Sequence, residues 1–473
     1  MTLSDLHALL PQLILALGAT GILMVGAWWP SRAPWVLTGV ALSFCAAISA
    51  GIVLPTVTEV GGMFGVTPYA RFFTILWSIL TGLTLLLSLR YAKVHRFAGA
   101  EYTALVLFAG AGMSLLSAAS SLVGLFLGLE TFTLVLYILI AFNRGEAIGA
   151  EAGLKYLVMG AVATGFLAFG IALIYASSGS FHLPEAMHGL QIDGQMRPLG
   201  LLGWAMLLVA IGFKVSLVPF HLWTPDVYQG APAPVTGLLA TGAKGAMFAA
   251  LIPLFAALGT LTLELNAVLA ALAMLSMVGG TLAALPQRNL KRMLAYSSVV
   301  HMGYLLLGLM SGGPDGQRAV IFYLIVYGIA TLGAFGVITS FAQADGEPQD
   351  YETFRGLGYR HPRRCSALSA FLLSLAGIPP LAGFFGKFGI FHAALKSNHH
   401  LLALVGILAA LVSVSYYLRP IIVLFMQERP AQRLRPGCTH EFAVLTVCFS
   451  LVLYLGLYPG PLLELISQIL PSP

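Results

Sequence analysis

The sequence predicts an all-α polytopic membrane protein of about fourteen transmembrane helices, with two inverted five-helix repeats that each carry a discontinuous fourth helix. Three observations lead there. Hydrophobic residues make up 58% of the 473 residues and charged ones only 9%, with a mean hydropathy of +0.90; a soluble domain with one buried core does not have that composition. The apolar runs are long and lack period-two alternation, which favours helices over barrel strands as the way to pair every backbone group in lipid. Two of the runs are interrupted by proline at matching places in the chain.

A bilayer core of roughly 30 Å takes about 20 apolar residues per helix. The first run, 9 to 28, has Asp5 ahead of it, no preceding basic region and too great a length for a signal-peptide core, so it reads as a permanent span. Spans at 35 to 54 and 70 to 89 complete an N-terminal group, 1–100. The stretch 102 to 142 divides into 102 to 119 and 121 to 142, and is followed by 152 to 176, 198 to 222 and 231 to 257, forming a first unit over 101–258. A second unit, 259–430, holds 264 to 285, 292 to 311, 318 to 342, 365 to 395 and 400 to 426. A last span, 441 to 469, fills 431–473.

Charge tests this map. Of the 24 Lys and Arg, sixteen fall after odd-numbered spans: Arg32, Arg90, Lys93, Arg96, Arg144, Arg288, Lys291, Arg292, Arg355, Arg360, Arg363, Arg364, Arg419, Arg429, Arg433 and Arg435. Only Arg71, Arg197, Arg318 and Lys396 fall on the other side. Positive residues stay cytoplasmic, so both termini are expected in the periplasm of a bacterial inner membrane. The basic pI reflects that topology; charge dispersed over short loops is no nucleic-acid surface. The four cysteines, Cys45, Cys365, Cys438 and Cys448, form no C-x-x-C or Cys/His cluster, and no phosphate-binding loop is present. The chain is therefore expected to bring no metal, nucleotide or redox centre of its own.

The helix breaks carry the next step. The seventh span holds Pro219 and Pro225 around His221, and the twelfth holds Pro379 and Pro380 in GIPPLAGFFGKFGIF. With spans four to eight as one unit and nine to thirteen as another, both breaks fall in the fourth helix. Five is odd, so the second unit enters from the opposite face. Interrupted helices at matching positions point to an ion pathway.

The remaining four basic residues, Lys155, Lys214, Lys244 and Lys387, lie within spans, and Glu130 is the one acid clearly mid-span. Ionisable groups at that depth cost several kcal/mol, about 3 on the lenient scale, so a functional reading is the default. Glu130, Lys214, Lys244 and His301 sit near the midpoints of their spans. A lysine in low dielectric yields its proton readily and a nearby carboxylate restores it, so Glu130 with Lys214 can load and release protons if spans five and seven meet. Simpler readings stand beside these. Lys214, Lys244 and Lys387 are compatible with structural ion pairs, Lys155 with a cation reaching to the interface, His301 with a neutral core histidine, and His221 with a cap on freed carbonyls.

Residues 213 to 246, FKVSLVPFHLWTPDVYQGAPAPVTGLLATGAKGA, closely resemble the signature of the antiporter-like membrane subunits of respiratory complex I, the proton-pumping NADH:quinone oxidoreductase. PFHLWTPDVYQGAPAPVT looks like the N-type member; LFLGLETFTLVLY, EAGLKYLVMGA, NLKRMLAYSSVVHMGY and GIPPLAGFFGKF fit the same family. The resemblance implies fourteen helices and a relay in which Glu130 and Lys214 form the input pair, Lys244 connects onward and Lys387 lies at the output. It adds Lys155 as a helix-six lysine, with His221 and His301 as further relay candidates. It implies M-, L-, K-, J-, A- and H-type membrane partners. Quinone, NADH, FMN and iron-sulfur clusters would lie in other subunits. Two other readings remain open: a subunit of a multi-subunit cation/proton antiporter or hydrogenase relative, and a scaffold whose charges only fix helix packing.

Overall fold

The computed structural model describes residues 2–29, 33–52, 57–97, 99–143, 145–188, 196–258, 263–344, 346–427, 434 and 437–470. Arg32, Arg144, Arg429, Arg433 and Arg435, and the unit boundaries at 259 and near 431, lie outside the described residues. Every one of the fourteen expected apolar segments is helical. Twelve helices among the described residues are long and apolar enough to cross a membrane in one piece; the 17-residue α2 and a broken pair account for the other two segments.

A short α1 (Leu3–Ala8), closed by reciprocal Thr2 and Asp5 capping, leads into α2 (Leu10–Gly26) and α3 (Ala33–Ile52). A two-residue hairpin, β1 (Glu59–Val60) against β2 (Phe64–Gly65), precedes α4 (Pro68–Val94). The Thr67 hydroxyl accepts from Ala70 N at the start of α4, and Pro68 sits in the first turn, where its missing N–H costs nothing. The division of 102 to 142 falls as expected between α5 (Gly99–Ser117) and α6 (Leu122–Ile140). Their backbones approach closely: a Cβ on Gly128 would lie 2.6 Å from Leu116 Cα.

The chain continues with α7 (Ala147–Ser178), the short α8 (Leu183–His188), α9 (Arg197–Val215) and α10 (Trp223–Gly230). One bent span follows, made of α11 (Ala233–Leu238), a π turn over Leu239–Ala243, and α12 (Lys244–Leu258). Next come α13 (Leu263–Ala284), α14 (Leu290–Met310) and α15 (Gly313–Ser340). The connector helices α16 (Tyr351–Phe354) and α17 (Leu357–Arg360) precede α18 (Pro362–Ala376), α19 (Ala382–Lys396) and α20 (His400–Met426). The chain closes with α21 (Thr439–Leu457) and α22 (Gly460–Ile469). α14 and α15 are buried almost throughout, whereas α7 turns Leu154, Val158 and Val162 outward, as a lipid-facing helix does.

Both breaks end their first half the same way. In α9, Leu217 N donates to Gly212 O and Ser216 N to Phe213 O, with Ser216 left-handed at φ 67°. In α18, Ile378 N donates to Leu373 O and Gly377 N to Ser374 O, with Gly377 at φ 88°. This paired 6→1 and 5→2 closure is a helix stop. Pro219 and the Pro379-Pro380 pair lie in the breaks themselves, with cis peptide bonds at Val218–Pro219 and Pro379–Pro380. Pro225 does not break a helix: it lies in the first turn of α10, where no intrahelical N–H is required. The expected single span 441 to 469 is likewise two helices, because Pro459 and Gly460 end the run at Leu457 and α22 starts afresh.

A second detail recurs along the chain. The strand-like residues entering α6 bridge to those following α7, through Leu122 N to Phe181 O and Leu183 N to Ser120 O. The residues entering α14 bridge to those following α15, through Leu290 N to Gln349 O and Tyr351 N to Arg288 O. In each case one helix is tied to the end of the next, and its N-terminus is capped by a side chain, Ser121 or Asn289.

Candidate functional site

A line of buried ionisable side chains runs from α6 to α19, and the helix stops explain where it can form. A helix end leaves carbonyls without intrahelical partners and a partial negative charge. Lys214 occupies the last turn of α9, 6% exposed. Its Nζ lies 3.4 Å from Glu130 Oε1 and 3.3 Å from Thr133 Oγ1, both on α6. Glu130 also accepts a 2.8 Å hydrogen bond from Thr164 of α7. The expected encounter of Glu130 with Lys214 is therefore present in the fold.

Aromatic side chains fill the interval to the next cation. Tyr137 meets Tyr156 edge-on and Tyr156 meets Trp223 with tilted rings, and Trp223 Nε1 donates to the carbonyl of Phe213 at 2.9 Å. Lys244, fully buried, follows the π turn of Leu239–Ala243, an irregularity that recurs at functional sites. Its Nζ lies 2.8 Å from Ser298 Oγ and over the rings of Trp223 and Tyr228, at 5.7 and 5.2 Å. Ser298 also meets Tyr327 OH at 2.8 Å and Tyr228 OH at 3.3 Å, so one hydroxyl on α14 joins three side chains.

One helical turn on, His301 places Nδ1 against Tyr323 OH and Nε2 2.9 Å from Tyr417 OH, which also meets Ser297. Lys387 of α19 is 4% exposed. Its Nζ donates to Ala376 O at 2.8 Å, across the break, and lies 5.3 Å from the ring of Tyr304. Among the described residues, the buried hydroxyls of Tyr137 and Tyr304 have no hydrogen-bond partner.

Two expected members are placed elsewhere. Lys155 is off this line: its half-exposed side chain pairs with Glu151 at 2.7 Å and Asp226 at 2.9 Å, and Asp226 also takes Arg292 at 2.8 Å. Four residues from Glu151 at the start of α7, it reaches the interface, the simpler of its two readings. Burial works to raise the Asp226 carboxyl, but the hydrogen bonds from Lys155 and Arg292 outweigh it and hold the group below its ordinary value. His221 sits in the first break, half-buried, its ring facing Tyr296 and its Nδ1 without a partner. Its ring hydrogen-bonds the Pro219 backbone inside the break, as a cap on a freed carbonyl would.

The basic-loop assignment also needs correction at Lys291 and Arg364. Lys291 is fully buried against Glu347 at 2.8 Å. Arg364 is buried beside Glu441, 3.8 Å away, which Arg90 approaches at the same distance. Among the described residues no group of three or more His, Cys, Asp or Glu could hold a metal ion.

Residues 119–413, the stretch that holds all of this line, match the family described as NADH:quinone oxidoreductase/Mrp antiporter, TM. The chain belongs to that family. Relatives in it include the NADH-quinone oxidoreductase subunit N of Syntrophotalea carbinolica, 47% identical over the whole of both chains. That of Geotalea uraniireducens is 45% identical over 99% of this chain and all of its own. A chain of respiratory complex I from Thermus thermophilus is 34% identical, covers 97% of this chain and 99% of its own, and superposes with a TM-score of 0.83. A chain of the Mrp complex from a Dietzia species has the same fold, with 22% identity, 99% and 97% coverage and a TM-score of 0.84.

Sequence reasoning missed the hydroxyls that connect the line in this family member. Thr133, Thr164, Ser298, Tyr323, Tyr327 and Tyr417 each sit in an apolar run, where Ser and Thr hydroxyls usually satisfy themselves on a carbonyl four residues back and tyrosines read as core aromatics. Thr133 does bond Leu129 O in that way. The available signal was YSSVVHMGY, which puts Ser298 and His301 three residues apart on one helix face.

Proposed function

We propose that the chain is the N-type proton-translocating membrane subunit of an NADH-quinone oxidoreductase, coupling quinone reduction in neighbouring subunits to proton transfer through its own interior. The observation that carries this reading is the succession Glu130–Lys214, Lys244–Ser298, His301 and Lys387–Ala376 inside the membrane-spanning body. A change of field at Glu130 releases or recaptures the proton of Lys214, and each cation repels the next along the line. Glu130 and Lys214 serve as the input pair, Lys244 as the connector and Lys387 as the output. His301 and its tyrosines bridge the last interval.

Residues 101–258 and 259–430 act as two inverted units, a division supported by the matched helix stops and the matched bridges at Ser121–His182 and Asn289–Asp350. NADH, FMN, quinone and iron-sulfur chemistry belongs to other subunits, among them M-, L-, K-, J-, A- and H-type membrane partners. The complex sits in a bacterial inner membrane with both termini of this chain periplasmic.

Purification through a tag on this chain tests the reading. Recovery of donor:quinone reductase activity with the chain supports it. Recovery in a cation/proton antiporter assembly devoid of quinone reductase activity contradicts it.

A further inference from the structure

The line described above needs a route by which protons reach it from the face bearing the basic loops, and a second buried ion pair stands on that side. Lys291, the second residue of α14, is wholly enclosed, and the Glu347 side chain that pairs with it at 2.8 Å is 5% exposed. An isolated pair so placed costs several kcal/mol in desolvation, on the order of the gain from its own attraction. The surroundings compensate by hydrogen bonding. Glu347 Oε1 accepts from Ala233 N at 2.6 Å and from Tyr91 OH, while Lys291 Nζ donates to Ala231 O at 2.6 Å as well as to Glu347. Three distant parts of the chain meet here: α4, the α10–α11 connection and the segment after α15.

A polar seam leads inward from this pair. Pro232 has no N–H, so the carbonyl of Tyr228, four residues back, loses its helical donor. Thr236 Oγ1 lies 3.4 Å from that carbonyl, 3.2 Å from Ala231 O and 3.1 Å from Pro232 O. Ala231 O is the acceptor of Lys291. At the inner end, Tyr228 OH meets Ser298 Oγ, which holds Lys244. Lys291 and Ser298 are seven residues apart on α14, hence on the same face and about 10 Å apart along its axis. Outward, Glu146 stands at the exposed rim within electrostatic reach of Glu347 and Lys291, and His95 stacks on Tyr91 at 4.3 Å. Partial burial and then the charge of Glu347 raise the Glu146 carboxyl above its ordinary value. Burial, opposed by Glu347, lowers His95. The positive charge of Arg90 lowers it further.

From this geometry we infer that Glu347 and Lys291 form a proton-uptake gate that loads Lys244 along the Ala231–Thr236–Tyr228–Ser298 seam. The inference rests on the proton-translocating function proposed above. A proton from solvent neutralises Glu347, which weakens its hold on the Lys291 ammonium. Lys291 then gives up its proton to water admitted along the polar seam, which hands it through the Tyr228 and Ser298 hydroxyls to neutral Lys244, and Glu347 returns its own to Lys291. No charge is created or lost, and no redox partner is required. The alternative role is a clasp that only joins the two units.

The test uses the assembled complex in inside-out vesicles, reading protons moved per quinone reduced for Glu347→Gln, Glu347→Asp and Lys244→Met. Gln still accepts from Ala233 N and Tyr91 but takes no proton. We expect Glu347→Gln to assemble and to lose the same share of the stoichiometry as Lys244→Met, with Glu347→Asp restoring part of it. If Glu347→Gln fails to assemble, because Lys291 is left as an unpaired buried cation, the double variant Lys291→Met/Glu347→Gln removes that charge and is scored identically. Wild-type stoichiometry in the Gln or double variant, with a loss in Lys244→Met, overturns the gate and leaves the parent function standing. Wild-type stoichiometry in all of them overturns both.

Discussion

Lys387 Nζ donates to the carbonyl of Ala376 at 2.8 Å, eleven positions back and on the other side of a helix break, so the cation of one half-helix rests on the C-terminal end of the other. That end offers an unpaired carbonyl and roughly half a negative charge. An ammonium can lose a proton there and keep its lone-pair-bearing nitrogen in place. Lys387→Met fills the stem's volume without the charge. We expect normal assembly and a loss of proton translocation, measured in vesicles against quinone reductase rate. Lys387→Arg should not rescue it. A guanidinium stays protonated and cannot take part in releasing a proton.

Ser298 is the second point of leverage, since Lys244, Tyr228 and Tyr327 all meet its hydroxyl. Ser298→Ala removes a hydrogen bond to a charged group, about 1.5–3 kcal/mol. We expect proton transfer slowed about tenfold or more, because about 1.4 kcal/mol is a factor of ten in rate. Ser298→Thr, which keeps the hydroxyl, should retain most of it; stopped-flow pH-indicator traces distinguish the two.

How far the fold and site were legible in the sequence follows from which interactions are local. Helix positions were readable because bilayer thickness sets a length that hydropathy reports, and Pro219 and the Pro379-Pro380 pair were readable because proline forbids a helical hydrogen bond. Pro225 was misread: its chemistry depends on whether it falls inside a helix or in the first turn, which Ser216 decides nine residues earlier. Glu130, Lys214, Lys244, His301 and Lys387 were conspicuous as charge or imidazole amid oil. Lys291 and Glu347 looked like loop residues, since their burial is produced by three segments meeting in space. The same reason hid Glu441 between Arg90 and Arg364.

The second break is also held by glycines that admit no side chain. A Cβ on Gly383 would lie 1.7 Å from Ser374 O, and one on Gly456 of α21 would lie 2.2 Å from Pro380 O. In both cases the obstacle is backbone, which cannot rotate away. We expect Gly383→Ala and Gly456→Ala to cost about 1–3 kcal/mol or more from overpacking. Thermal melting of the purified complex and the amount assembled should both fall. Gly165→Ala, where nothing lies within 4 Å, is the control.

At the basic-loop face, Asp226 joins Lys155 and Arg292. Its folded-state pKa is held below the ordinary carboxylate value by these cations, against burial. A depressed carboxyl contributes stability above its unfolded pKa, about 3.9, and loses that contribution as pH falls through the folded value. We therefore expect Asp226→Asn to melt earlier than wild type at pH 7. The difference should shrink only below about pH 4. A constant difference down to pH 3 would contradict the pairing.

The relay turns on Glu130 and Lys214, 3.4 Å apart in the membrane interior. The most direct measurement is the number of protons moved per quinone reduced in vesicles holding the assembled complex with Glu130→Ala or Lys214→Ala. We expect both variants to assemble and to lose this subunit's share of the pumped protons. Full stoichiometry at normal reductase activity in both would show that the buried charges only fix helix packing.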